Sequence, residues 1–341
     1  MKTLDGYMRG INLGHWISQY GDKGKEHWDS YITESDFARI AEWGLDHIRL
    51  PVDYMLFERD EQPGVFLESG LQYIDFALDC CKKHGLNMIL DLHHTPGFFF
   101  GDKFNKDKNN LFTDRNQQLR FLNIWKMFAN RYKNENDNLI FELLNELVLE
   151  DTEPWNKLWP EAAAEIEKIS PTRRIIVGSN LWNAIEQLKN LTVVDDPNII
   201  YNFHCYAPFL FTHQRAAWDP NMFSYQRSVT YPMHTAEHQE FFEKNDPYLM
   251  EQYDIIDIHA MEDFFKPAVE FMKTSGHPLY CGEFGVYNVA DMDSTLRWHS
   301  DIISLFNKYG IGRAVWSYKG FSRITEPDGS YNKPLVEILA R

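Results

Sequence analysis

Two glutamates close short apolar runs: Glu146 ends Leu143-Leu144-Asn145-Glu146, and Glu283 sits in Gly282-Glu283-Phe284-Gly285. Carboxylates brought from separate strands suit acetal hydrolysis, where one holds a proton for the leaving oxygen while the other stays ionised to attack carbon. A separation of about 5 Å gives retention through a covalent intermediate, and a wider gap admits a water and gives inversion. Other reactive side chains sit in comparable places. Arg49 lies in Ile48-Arg49-Leu50-Pro51, and His93 and His94 close Leu90-Asp91-Leu92-His93-His94. His204 and Tyr206 flank Cys205, Trp316 ends an apolar run, and Asn12, His15 and Trp16 follow the first run.

Groups this far apart in sequence need a frame that gathers strand ends. Short β-type runs alternate with amphipathic helical runs along the whole chain, which predicts parallel βα units. Strands are expected at 8–12, 47–51, 87–93, 139–145, 174–178, 199–204, 278–283 and 312–317. Helices are expected at 34–43, 71–84, 117–132, 155–169, 184–188, 261–275, 294–309 and 336–341. Gly44, Gly85 and Gly310 each follow an apolar periodic segment, where a left-handed C-cap fits. The fold expected is α/β, a single (β/α)8 TIM barrel over 1–341, whose strand C-termini converge on one cleft. One interval is too long for a single unit. Residues 208–257, rich in Phe, Tyr, Trp, His and Pro, are expected to form an inserted subdomain over the active-site face.

Composition narrows the partners. A formal net charge of −16 argues against nucleic acid and strongly acidic polysaccharides, and leaves neutral sugars open. Aromatic residues make up 15% of the chain, and 10 are Trp. The flat face of an indole can cover a pyranose. Trp16, Trp155, Trp182 and Trp218 are candidate sugar platforms. No run has the length of a membrane span. The four cysteines form no CxxC pair, which favours reduced buried thiols. No leader is visible at the N-terminus, so the expected location is cytoplasmic, with an extracellular site open if a leader was removed.

The ordered segments Arg9-Gly10-Ile11-Asn12-Leu13-Gly14, Ile48-Arg49-Leu50-Pro51, Leu90-Asp91-Leu92-His93-His94, Leu143-Leu144-Asn145-Glu146, His204-Cys205-Tyr206 and Gly282-Glu283-Phe284-Gly285 resemble glycoside hydrolase family 5. Within it the chain is most similar to clostridial endoglucanases that carry an insertion after the sixth strand. The resemblance implies Glu146 as acid/base and Glu283 as nucleophile of a retaining endo-β-glucanase. The substrate implied is a cellulose-type or mixed-linkage β-glucan polysaccharide or oligosaccharide, with no cofactor and no metal. It implies substrate-binding roles for Arg49, His93, Asn145, His204, Tyr206 and Trp316, with His94 as the alternative to His93. Leu147 departs from the Pro that many relatives carry after Asn-Glu. Arg49 beside Glu283 is expected to lower the pKa of Glu283, and a negative neighbour to raise that of Glu146.

Other readings stay open. Arg49 could be a buried ion-pair partner, the histidines core residues, Glu283 a helix-capping acid and Trp316 core. A β-mannanase or β-1,3-glucanase would use the same catalytic set, since specificity lives in loops. A non-catalytic carbohydrate-binding barrel would need neither carboxylate. His234-Thr235-Ala236-Glu237-His238 matches a zinc-protease pattern in which both histidines share one helical face.

Overall fold

The computed structural model describes residues 2–100, 109–322, 324–326 and 328–341. Among the described residues ten strands are found: β1 Gly10–Asn12, β2 His47–Asp53, β3 Asn87–His94, β4 Leu139–Glu142, β5 Ile175–Gly178, β6 Ile199–Cys205, β7 Met233–His234, β8 Ile255–Ile256, β9 Leu279–Phe284 and β10 Gly312–Val315. Eight of them close into a barrel in the order β1-β10-β9-β6-β5-β4-β3-β2. Every pairing round the barrel is parallel, as βα connections dictate.

All eight expected barrel strands are present, with shifted ends. β4 stops at Glu142 and β10 at Val315, so Asn145, Glu146 and Trp316 stand in turns just beyond their strands. The expected helix 261–275 is two, Ile258–Phe264 and Lys266–Ser275. Pro267 occupies the first turn of the second, where its missing N–H costs nothing. The run at 184–188 is a 3-10 segment, Ile185–Asn190. Gly85 and Gly310 do cap helices in the left-handed conformation, with φ of 70° and 66°, as a C-cap glycine should.

Between β6 and β8 lie four short α-helices, Phe209–Thr212, Pro220–Ser224, Gln239–Asn245 and Pro247–Gln252. There β7 pairs antiparallel with β8. Tyr231, Met233, Phe241, Phe242 and Ile256 of this stretch are buried in the main core. All four cysteines are buried and free. Among the described residues, no helix is long and apolar enough to cross a membrane.

The barrel interior is built by the two-residue strand period. Ile89, Ile140, Ile176, Ile200, Tyr280 and Ala314 pack with Leu4 and Tyr7 into an apolar plug at the floor. Two residues further along β3, β4, β6 and β9, the sequence places Asp91, Glu142, Asn202 and Gly282. Charge therefore begins one layer above the plug.

Candidate active site

Arg49, fully buried on β2, is the centre of that charged layer. Its Nε and one terminal nitrogen grip Glu142 in a fork, at 2.7 and 2.8 Å. The same terminal nitrogen donates to Asn145 Oδ1 at 2.9 Å and lies 3.0 Å from Asp91. The other donates to Glu283 Oε1 and to Asn12 Oδ1, both at 3.0 Å. One guanidinium cannot offset all the carboxylates around it. Burial accordingly pushes Asp91 and Glu142 up to about 7, against the pull of Arg49, because a low dielectric penalises the charged form.

Glu283 accepts from Arg49 on one oxygen and from the Tyr206 hydroxyl on the other, at 2.9 Å. The expectation of a lowered pKa is corrected. Burial outweighs Arg49 and Tyr206, and Glu283 is raised to about 7. Glu146 lies higher still, well above the carboxylate range, through burial first and then the charge of Glu283. The order of the two survives, although neither is depressed. The Glu146 backbone is left-handed, with φ of 41°. That conformation costs a non-glycine residue about 1–3 kcal/mol. It turns the side chain to the mouth, where 13% of Glu146 and 7% of Glu283 remain exposed. Ligand atoms of Glu146, His204 and Glu283 lie within 4.8 Å of one another.

Burial holds the pKa of His93 and of His204 well below the ordinary imidazole value, which favours their neutral forms. Asn183 Nδ2 lies 3.2 Å from His204 Nε2, which leaves the Nδ1 proton for Glu146 Oε1 at 2.8 Å. His93 gives its Nδ1 proton to Asp91 at 2.8 Å, so its Nε2 can accept, with Asn145 Nδ2 at 3.5 Å. The bond at one ring nitrogen thereby fixes the role of the other. Trp316 stacks parallel to His93, with ring centroids 5.6 Å apart. A Cβ on Gly14 would fall 2.9 Å from that indole, so the close seat of Trp316 requires glycine there. His94 pairs with Asp53 at 2.6 Å and stacks on Phe99 and Phe100, and Phe100 also meets the His93 ring edge-on at 5.3 Å.

The structure thus brings together Arg49, His93, Asn145, Glu146, His204, Tyr206, Glu283 and Trp316, with His94 beside them. Of the candidate platforms, Trp182 and Trp218 are exposed, whereas Trp16 and Trp155 are fully buried and donate to backbone carbonyls. Those two are core residues. The helical zinc pattern is also absent. His234 is exposed on β7, Thr235–His238 is a 3-10 turn, and buried His238 bonds the Tyr225 hydroxyl. Sequence reasoning passed over Glu142, Asn202, Asn183 and Asp53. A charge inside the buried run Leu139-Ile140-Phe141-Glu142 was the available signal, because it must find a partner.

Comparison with known proteins identifies the family. The family profile described as Cellulase (glycosyl hydrolase family 5) matches residues 9–322. Endoglucanase C of Acetivibrio thermocellus is 46% identical, over 98% of this chain and 98% of its own length. Cellodextrinase A of Ruminococcus flavefaciens is 36% identical, over 92% of this chain and 86% of its own. Among solved structures, endoglucanase Cel5A of Thermotoga maritima superposes with a TM-score of 0.81 at 27% identity, covering 99% of this chain and 100% of that one. The same enzyme has been solved with cellobiose and with mannotriose. On a profile match spanning nearly the whole barrel and a relative this similar from end to end, the chain belongs to glycosyl hydrolase family 5 and is a glycoside hydrolase.

Proposed function

We propose that the protein is a retaining endo-β-glucanase that cuts β-1,4-glucosidic bonds in cellulose-type or mixed-linkage β-1,3/1,4-glucan. The observation that carries this reading is the approach of Glu146 and Glu283 to within 4.8 Å, in surroundings that hold a proton more firmly on the first. Retaining pairs stand about 5–5.5 Å apart, too close for an intervening water.

In the first step Glu283 attacks the anomeric carbon, the bond to the leaving oxygen breaks, and Glu146 gives that oxygen its proton. His204 occupies Glu146 Oε1 as donor, which leaves Oε2 to carry the proton. Once Glu283 is esterified its charge disappears, and Glu146 becomes the more acidic for it. In the second step Glu146 takes a proton from water, whose oxygen bonds the anomeric carbon and frees Glu283. Arg49 and Tyr206 steady the nucleophile, Asn145 and His93 meet sugar hydroxyls, and Trp316 lies under the ring being cleaved.

Residues 208–257 serve as a subdomain that walls the cleft within one catalytic domain. Thr212 bonds the Tyr206 carbonyl, and exposed Trp218 packs against Tyr287 and Phe321 beside it. A β-mannanase is the second reading, favoured by the mannotriose complex of the Thermotoga relative. The test is hydrolysis of carboxymethylcellulose, barley glucan, laminarin and mannan with product sizing. Fast internal cutting of the first two supports the proposal, mannan as best substrate moves it to the second reading, and no hydrolysis of any overturns both.

A further inference from the structure

Successive side chains of a regular strand alternate sides. β9 breaks this rule at its reactive end. Cys281 and Phe284 pack into the main core, Phe284 against Trp298 and Phe306. Gly282 and Glu283 both face the barrel interior, since a Cβ on Gly282 would fall 2.9 Å from the Asn202 amide and from the His204 ring. The register skips at the same place on both flanks. Phe203 pairs with Cys281 but His204 with Glu283, and Arg313 pairs with Cys281 but Val315 with Phe284. Gly282 is the extra residue of a bulge, the device by which a strand re-aims a side chain. Without it, the residue after Gly282 would point outward with Cys281.

The peptide groups of the bulge are held by side chains. Gly282 N–H donates to Asn202 Oδ1 at 2.8 Å, and its carbonyl accepts from Asn12 Nδ2 at 3.0 Å. Both amides trace back to one carboxylate. Glu142 Oε1 accepts from Asn202 Nδ2 and from Arg49, both at 2.8 Å, and Oε2 accepts from Arg49 at 2.7 Å. Three donors aimed at two oxygens fit an acceptor-only carboxylate and favour its charged form against the burial that raises it. Arg49 in turn holds Asn12 and Glu283.

Resting on the reading of Glu283 as nucleophile, we propose that Glu142 is the positioning residue of this site. Through Arg49 it aims the Glu283 carboxylate, and through Asn202 it locks the bulge that turns Glu283 inward. It touches no substrate. It also offsets the Arg49 charge that Glu283 would otherwise feel in full. The groups around Glu283 are Arg49 on β2, Asp91 on β3, Glu146 after β4, His204 on β6 and Tyr206 after β6, with Glu142 on β4 reaching it through Arg49 and Cys281 of its own strand turned to the core behind it.

The test compares E142Q, E142D and N202A in the full chain, using an aryl β-cellobioside across the pH range where each stays folded. E142Q should lose about 100-fold in kcat with KM nearly unchanged, the scale of a misplaced reacting group. Its acidic limb in kcat/KM should move down by about one pH unit, because Arg49 is then less compensated beside Glu283. E142D, keeping the charge, should restore part of the rate and the original limb. N202A, which frees the bulge alone, should lose about tenfold in kcat without moving the limb. Wild-type kcat and an unmoved limb in folded E142Q overturn the proposal. If E142Q does not fold, wild-type kcat in N202A overturns it. Residual full activity in E283A would instead remove the nucleophile reading, a separate failure.

Discussion

The barrel floor and the barrel mouth are made by the same strands, two residues apart, and do opposite things. At the floor the inward positions are Ile89, Ile140, Ile176 and Ile200, closed by Tyr280 and Ala314. One step up, the same faces carry Asp91, Glu142 and Asn202 around Arg49. Burying apolar area at the floor stabilises the fold. Burying unequal charge at the mouth costs stability, and it persists only because each group is fixed by a partner. The strand period is thus a ruler, and a function-bearing layer can be found by stepping two residues beyond an apolar one.

The largest expected effect comes from the mouth. Glu283→Ala should lower kcat by about four orders of magnitude or more, with glucan binding largely kept, as for loss of a covalent nucleophile. Steady-state kinetics with a binding isotherm checks both parts. Glu146→Gln comes next, with kcat down by about 10²–10⁴-fold, steepest for substrates with poor leaving groups.

The same variant sharpens the contrast through stability. Glu146 is raised in the folded state, so below the ordinary carboxylate pKa both folded and unfolded chains hold its proton. As pH rises past that value the unfolded chain ionises first and the fold loses stability relative to it. Glu146→Gln should therefore be more stable than the parent by ~1–2 kcal/mol at pH 8, and by less at pH 5. Denaturant melts at the two pH values measure this. A uniform loss at both would break the claim that the mouth costs stability.

The floor should answer in the other direction. Ile140→Ala should cost about 2–5 kcal/mol of stability while leaving the shape of the pH–rate profile unchanged. A shifted profile would mean that the layers are not separable. The smallest effect is expected from chelation, since His234 and His238 share no helical face. Activity after dialysis against a chelator should equal that of the untreated protein, and loss restored by zinc would revive a metal site.

Much of this was readable beforehand, for a physical reason. Strand ends such as Asn145-Glu146 and His204-Cys205-Tyr206 carry polar residues just where apolar runs stop, so the barrel strands and their reactive ends emerge together. What escaped was whatever depended on phase or on net burial. The bulge at Gly282 leaves no mark in composition, since Gly-Glu reads the same in a straight strand. Glu142 was hidden because an apolar run tolerates a charge only through a partner distant in sequence, here Arg49. The pKa of Glu283 was misjudged from one neighbour, Arg49, whose pull burial outweighs and whose charge Glu142 and Asp91 already share. Trp16 and Trp155 could not be told from Trp182 and Trp218, because exposure is set by tertiary packing.

The central claim is that Glu283 bonds the anomeric carbon while Glu146 serves it with protons. Its most direct test is mass spectrometry of the enzyme inactivated by a 2-deoxy-2-fluoro-β-cellobioside with a good leaving group, after proteolysis. The account predicts one added glycosyl group, on the peptide containing Glu283. A label on the Glu146 peptide, or an enzyme that turns over glucan yet never takes the label, would contradict it.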